Sequence, residues 1–280
     1  GGLSDQMFEQ NHLQSNRERN WFQVKWLLYN IYLNYAPSKR QTLSINFFGL
    51  NAQRNALGFR TNRVSQIDSE EERDLITGDF NNYGFESKFL SKYNIKSLKS
   101  TLLLGTKFYK SENSSRQGPG SSNSNADFNF YSNNFPNYNN QSEYQYPNLN
   151  IAFFGENLFY LNSRLSITPG FRIEHIKTES SGNYKKINLD GAGNVILNET
   201  IYNDNTRKRS FILLGTGISY KGPLEIYGNI SQNYRSVTFA DISIINPAYS
   251  IDPNISDEKG YTIDCGLRGL VNEYVSYDFS

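Results

Sequence analysis

The chain has 280 residues, with 28 basic against 27 acidic side chains for a formal charge of +1, so no global field points to a nucleic-acid partner. Aromatics supply 15% of it while Cys and Met occur once each, which excludes an internal disulfide and favours pleated strands with polar loops. Mean hydropathy is -0.62 and no run approaches the roughly twenty apolar residues of a spanning helix, yet strands with one wet face give the same low mean.

Ten stretches alternate apolar with polar residues, and the links between them switch in rotation between a few residues and roughly thirty. In the first stretch Phe22, Val24, Trp26 and Leu28 share one parity, but Tyr29, Ile31, Leu33 and Tyr35 continue on the other. Either a bulge shifts the phase or the upper part rises beyond a bilayer. After a short link at 36–40, Leu43, Ile45 and Phe47 oppose Thr42, Ser44 and Asn46. A long connection at 54–82 holds Gly58 and Gly78 as loop punctuation, and a short one follows at 94–97.

The next long connection, 111–148, is packed with Asn, Ser, Tyr and Phe and broken by Gly118-Pro119-Gly120, Pro136 and Pro147. Tyr and Asn supply adaptable contacts, so this is either a solvated loop or a recognition surface. Beyond the link at 161–163, Leu165, Ile167, Phe171 and Ile173 oppose Arg164, Ser166, Arg172 and Glu174, with Pro169 marking a bulge or a missed ladder bond. A third long connection spans 179–209 and a short one 221–223. Leu224, Ile226, Gly228 and Ile230 then oppose Glu225, Tyr227, Asn229, Ser231 and Asn233. The fourth long connection spans 235–259, after which Tyr261, Ile263, Cys265 and Leu267 oppose Thr262, Asp264, Gly266 and Arg268. A last link at 271–272 leads to a strand at 274–280.

This is the pattern of an all-β, antiparallel transmembrane barrel, with lipid on the apolar side and a wet lumen on the other. A spanning barrel must hide its strand edges but can keep one rim tight and let the other carry loops. Short turns face the periplasm in bacterial outer membranes, which puts all four long connections outside the cell.

Several strings resemble the barrel of TonB-dependent outer-membrane receptors, with ferric-dicitrate-type siderophore receptors the nearest kind. They are Ser231-Gln232-Asn233-Tyr234-Arg235-Ser236-Val237-Thr238-Phe239, Asp257-Glu258-Lys259-Gly260-Tyr261, Gly266-Leu267-Arg268-Gly269 and Ile167-Thr168-Pro169-Gly170-Phe171-Arg172. The resemblance covers nearly the whole chain. It implies a barrel of about 22 strands, an N-terminal plug, and energised import of a ferric chelate driven by the TonB complex of the inner membrane. On that reading residues 1–280 are a partial receptor barrel, about ten strands of it, without the plug and the remaining C-terminal strands. The expected location is the outer membrane of a Gram-negative bacterium, with outer-membrane lipid and the chelate as partners and no nucleic acid.

An anionic chelate such as ferric citrate requires positive donors converging at the outer mouth, with Arg favoured because its fork pairs carboxylates bidentately. Arg60 and Arg63 in the first long connection, Arg116 in the second, Arg207 and Arg209 in the third and Arg235 in the fourth are the available groups, supplemented by Tyr131, Tyr138 and Tyr144. Taken singly, each is more often a surface side chain than a ligand contact. His12 and His175 lack partners at metal-ligand spacing, and the run Asp68, Glu70, Glu71, Glu72 and Asp74 lacks the Gly and spacing of a calcium loop, so no metal or cofactor is expected. A passive pore or an adhesion barrel shares the strands. An outer-membrane protease needs a His with a carboxylate, but the adjacent Glu174 and His175 point to opposite faces of a strand, so no enzyme is expected.

Overall fold

The computed structural model describes residues 2–61, 63–64, 66–237, 255–271 and 275–280; Thr238 and Phe239 of the quoted motif, and Asn272 and Tyr274 of the last link and strand, lie outside them. A six-residue helix, α1 (Asp5–Gln10), is N-capped by Ser4 and precedes β1 (Trp21–Ser38) and β2 (Gln41–Gly58). Then come β3 (Asp74–Ile95), β4 (Leu98–Pro119), β5 (Ser142–Tyr160), β6 (Leu165–Leu189), β7 (Val195–Lys221), β8 (Glu225–Arg235), β9 (Glu258–Val271) and β10 (Val275–Phe279). Each strand pairs with the next in chain order, in one antiparallel sheet.

The tight links explain the order, because a connection of a few residues can close only an up-down pair. Ile95 faces Leu98 across Lys96 and Ser97, and Lys96 adopts φ 55, the left-handed conformation a two-residue hairpin demands. At the β5–β6 turn Asn162 Oδ1 accepts the backbone N–H groups of Arg164 and Leu165, each at 2.8 Å.

Register carries the alternation across the sheet. Leu33, Ile45, Ser87, Thr106, Phe153, Ile173 and Ile212 are successive partners on one face, whereas Tyr32, Asn46, Glu86, Lys107, Ala152, Glu174 and Phe211 succeed one another on the other. The apolar face is not buried: Ile212 is 60% exposed and Ile263 70%. Side chains of that kind on that scale are stable only against an apolar solvent, which is what lipid supplies.

Three expectations are corrected. The β1–β2 register runs unbroken from Trp21↔Leu57 to Tyr35↔Leu43, so no bulge accompanies the parity switch; Leu27, Tyr29, Ile31, Leu33 and Tyr35 lie on the apolar face while Phe22, Val24, Trp26 and Leu28 point to the polar one. The third long connection is not a loop, because β6 and β7 stay paired out to Leu189 and Val195. Only residues 190–194 link them, with Gly193 at φ 86 and the Asp190 carboxylate accepting from Ala192 N (2.9 Å) and Asn194 N (2.8 Å). Gly78 and Pro147 likewise lie inside β3 and β5. Pro169 pairs in unbroken register with Thr216 of β7, but β5–β6 pairing skips from Glu156↔Gly170 to Phe159↔Ile167, the missed bond its lack of an N–H imposes.

Buried side chains gather at the end of β2–β4 away from the tight turns. The largest fully buried ones are Arg73, Leu75 and Pro119.

Candidate ligand-facing site

Two connections, 59–73 and 120–141, and the segment before β1 fold together over that end. Their hub is Arg73, wholly buried and held without a carboxylate. Its Nε donates to Ser121 O (3.0 Å), Nη1 to Arg19 O (2.8 Å) and Asn125 O (2.9 Å), and Nη2 to Ser121 Oγ (2.8 Å). Burial pushes its pKa down, yet a guanidinium stays protonated and its five donors suit a cluster of carbonyls. Gly120 donates its N–H to Arg73 O at 2.6 Å, and a Cβ there would stand 2.5 Å from Leu57 Cδ1, so a larger residue would have to displace the buried Leu57 side chain.

Arg19 makes the second tie. It grips both oxygens of Asp68 (2.9 and 2.5 Å) and donates to Glu71 O (3.1 Å) and Ser122 O (2.7 Å), and that hydrogen bonding holds the Asp68 carboxyl below its ordinary range. A third tie centres on Asp74, 4% exposed, which accepts from Arg60 Nη1 (2.8 Å), Gln117 Nε2 (2.9 Å) and Tyr138 Oη (3.0 Å). Burial and this neighbouring carboxylate push the Tyr138 phenol well above its usual pKa.

Beside Asp74 opens a cleft of about 500 Å³ whose lining includes Arg60, Gln117, Asn139, Asn140, Tyr184 and Lys185. The Arg60 side chain is 61% exposed although one nitrogen is paired, and Lys185 Nζ reaches Pro136 O at 3.0 Å. Gln117 and Tyr184 lie on the polar face while Lys185 stands on the opposite parity of β6, so the cleft sits at the loop end of the sheet, over its edge, rather than on one face. Two cations with amide donors and no carboxylate in the lining suit an anionic ligand.

The nine candidate side chains do not all converge. Arg60 and Tyr138 meet at Asp74, and Arg63 sits on the same connection, where its carbonyl accepts from Thr61 Oγ1 at 2.8 Å. Arg116 is a register partner of Thr77 and Glu143 on the apolar-face parity, over the Phe130 ring at 4.1 Å, and does not line the cleft. Arg207 lies on the polar face of β7 opposite Thr178, a strand position rather than a loop. Arg209, 8% exposed, is taken up by Asp257 (3.0 Å), Val237 O (2.9 Å) and Thr178 Oγ1 (3.3 Å). Arg235 pairs with Glu258 at 2.6 Å. Tyr131 donates to Asp127 (2.7 Å), which raises its pKa, and Tyr144 stacks on Tyr146 at 6.0 Å on the polar face. The sequence pattern marked arginines and tyrosines for the chelate and Asp74 only within an acidic run, and carried no signal that Lys185 and Gln117 would join Asp74 at the cleft.

Glu174 and His175 do point to opposite faces: Glu174 accepts from Arg172 (2.7 Å) and Asn150 (2.6 Å), and the His175 ring meets Ser210 Oγ (2.8 Å).

Comparison with known proteins agrees with this geometry. The family model described as "TonB dependent receptor-like, beta-barrel" matches residues 3–280. No curated protein matches. Among solved structures the chain is similar to the ferric citrate transporter FecA in its unliganded form (TM-score 0.68, 15% identity, 96% of this chain and 35% of that one). It is also similar to the ferric-catecholate import receptor Fiu of E. coli K12 (0.66, 10% identity, 96% and 42%) and the ferric yersiniabactin uptake receptor FyuA of Yersinia pestis (0.65, 10% identity, 90% and 34%). At these identities the likeness is one of fold, and the chain spans about a third of the length of FecA.

Proposed function

The chain belongs to the TonB-dependent receptor-like β-barrel family, and from that premise we propose that it forms part of the wall and outer mouth of a Gram-negative outer-membrane receptor for a ferric chelate. The apolar face is then the lipid-facing exterior and the polar face the lumen. The observation that carries the reading is the cleft: two exposed connections are tied by Arg73, Arg19 and Asp74 so that Arg60 and Lys185 line one opening at the loop end. A passive pore has no need to hold its loops in this way.

The charge of the lining favours an anionic, carboxylate-bearing chelate such as ferric citrate. The likeness to a ferric citrate transporter and to two other ferric-chelate receptors is consistent with that class. Import is energised through the TonB complex, which requires a plug supplied by sequence other than these strands. The test is uptake of radiolabelled ferric citrate by cells carrying the full-length protein as their sole receptor. Uptake that stops when the proton-motive force is collapsed supports the proposal; uptake unaffected by that collapse means a passive pore, and none at all means a different ligand.

A further inference from the structure

The tight-turn end of the wall carries cations of its own. The β2–β3 ladder runs one step past Gln41, because Lys92 N donates to Arg40 O at 2.8 Å, so Arg40 stands opposite Lys92. Both continue the lumenal parity of Asn46 and Glu86. Lys99 faces Asn94 on the lumenal parity of β4, which makes it the diagonal neighbour of Lys92. Three cations on three successive strands therefore share one patch at the mouth of the lumen.

All three are exposed and, among the described residues, none has a carboxylate partner. Lys88, further up β3, is paired with Glu86, and Glu156 of β5 faces Leu103, about 13 Å along β4 from Lys99. A second pair of cations is built in the same way. Lys221 N donates to Arg164 O at 2.8 Å, which sets Arg164 opposite Lys221, but Glu225 is the register partner of Lys221 on its other side. The corresponding partner of Lys92 is Thr101. Like charges directly across a ladder destabilise it, and an anion held between Arg40, Lys92 and Lys99 would offset that cost.

The exterior parity at this rim is aromatic, with Tyr35, Tyr93, Phe159 and Tyr220 on β1, β3, β5 and β7, so the three cations face the lumen and not the lipid. Their patch spans two strand spacings, about 10 Å, which suits a small multidentate anion and falls far short of a protein interface of about 800 Å² a side. The cleft at the other end of the same wall offers the same chemistry through Arg60 and Lys185.

We propose that Arg40, Lys92 and Lys99 form a second anion site, at the periplasmic mouth of the lumen, that takes the carboxylate-bearing chelate as it leaves. The proposal rests on the receptor reading and on the tight turns facing the periplasm. Asp74 and Lys92 lie about 60 Å apart along β3, many screening lengths, so the two sites bind independently.

The test uses the full-length protein in phosphatidylcholine nanodiscs, where both mouths are open to solution. It is briefly acylated with N-hydroxysuccinimidyl acetate at constant ionic strength, and the rate at each lysine is read by mass spectrometry. Millimolar ferric citrate should slow Lys92 and Lys99 about threefold or more, the change expected at twice the dissociation constant, and leave Lys88 and Lys221 unchanged. A neutral ferric hydroxamate should protect neither, and Arg40→Gln should weaken protection at both lysines. Unchanged rates at Lys92 and Lys99, equal protection by inorganic phosphate at the same concentration, or lysines already unreactive without ligand overturn the proposal. Protection at Lys92 and Lys99 with none at Lys185 faults the outer cleft and leaves this site standing. Assembly is followed by heat-modifiable migration, and the parent's own rates carry the test if Arg40→Gln does not assemble.

Discussion

The wall and the outer end of this molecule are held by different physics. In the wall the backbone ladder satisfies its own polar groups and the side chains need only alternate, so large residues such as Ile212 and Ile263 stand exposed on the exterior while their neighbours face water. At the outer end the backbone of 59–73 and 120–141 has no long ladder, and its carbonyls are gathered by buried guanidinium groups instead. Order in a polar loop is costly in entropy, and a few multidentate donors offset that cost without an apolar core. One region therefore tolerates change in proportion to membrane depth, and the other depends on single residues.

The sharpest way to break this comparison is Arg73→Leu. It strands the carbonyls of Arg19 and Asn125, each worth about 1–3 kcal/mol when buried unpaired, and leaves Ser121 O with only a backbone donor. Hydrogen exchange and limited proteolysis should show 59–73 and 120–141 opening while heat-modifiable migration shows the barrel still inserted. Loss of insertion as well would mean that the two regions are not independent.

A second test addresses the wall. Ile226→Lys on the exterior should cost about 2–4 kcal/mol near the midplane and lower folding yield in lipid. Its lumenal counterpart should not be Glu225, which is engaged by Arg268 (2.9 Å) and Ser219 (2.5 Å), so that Glu225→Lys would set two cations together. Asn229→Lys is the better control, because Asn229 already faces Asp264 at 3.1 Å. Equal damage at 226 and 229 would show that the faces are wrongly assigned.

How much of this was readable from residues alone follows the same division. Period-two alternation located the strands, the tight links and the faces, because in the wall each residue's role depends only on its parity. It failed where apolar residues hold to no one parity: 179–209 continues as a paired ribbon with Ile187 and Tyr202 on one face and Tyr184, Leu197 and Ile201 on the other. It was ambiguous in β1, where Phe22, Val24, Trp26 and Leu28 place apolar side chains on the lumenal face. Arg73 was illegible, since it follows Glu70, Glu71 and Glu72 in what reads as a solvated charge run, and its burial depends on residues 48–54 positions away. The loop arginines were found as a class, but which of them line the cleft depends on long-range contacts, with Arg60 held at Asp74 and Arg116 over Phe130.

A smaller effect tests the Arg19–Asp68 tie. The Asp68 pKa is lowered in the folded state, so its contribution is present above the unfolded aspartate value, near 4, and is lost as pH falls through the folded value. Proteolytic protection of 59–73 should therefore hold at neutral pH and weaken only in acid, and Asp68→Asn should remove that acid step. An unchanged acid step in Asp68→Asn would assign it to another carboxylate.

The central claim is that the outer end builds an anion site from Arg60 and Lys185 at the loop end of the sheet, and the most direct measurement is titration of ferric citrate against the purified full-length protein. Arg60→Ala with Lys185→Ala should weaken binding by about tenfold or more, more steeply at low salt than at high, while Arg116→Ala, on the exterior over Phe130, should bind like the parent. Equal affinity in the double variant and the parent, or a loss in Arg116→Ala that matches it, would contradict the account.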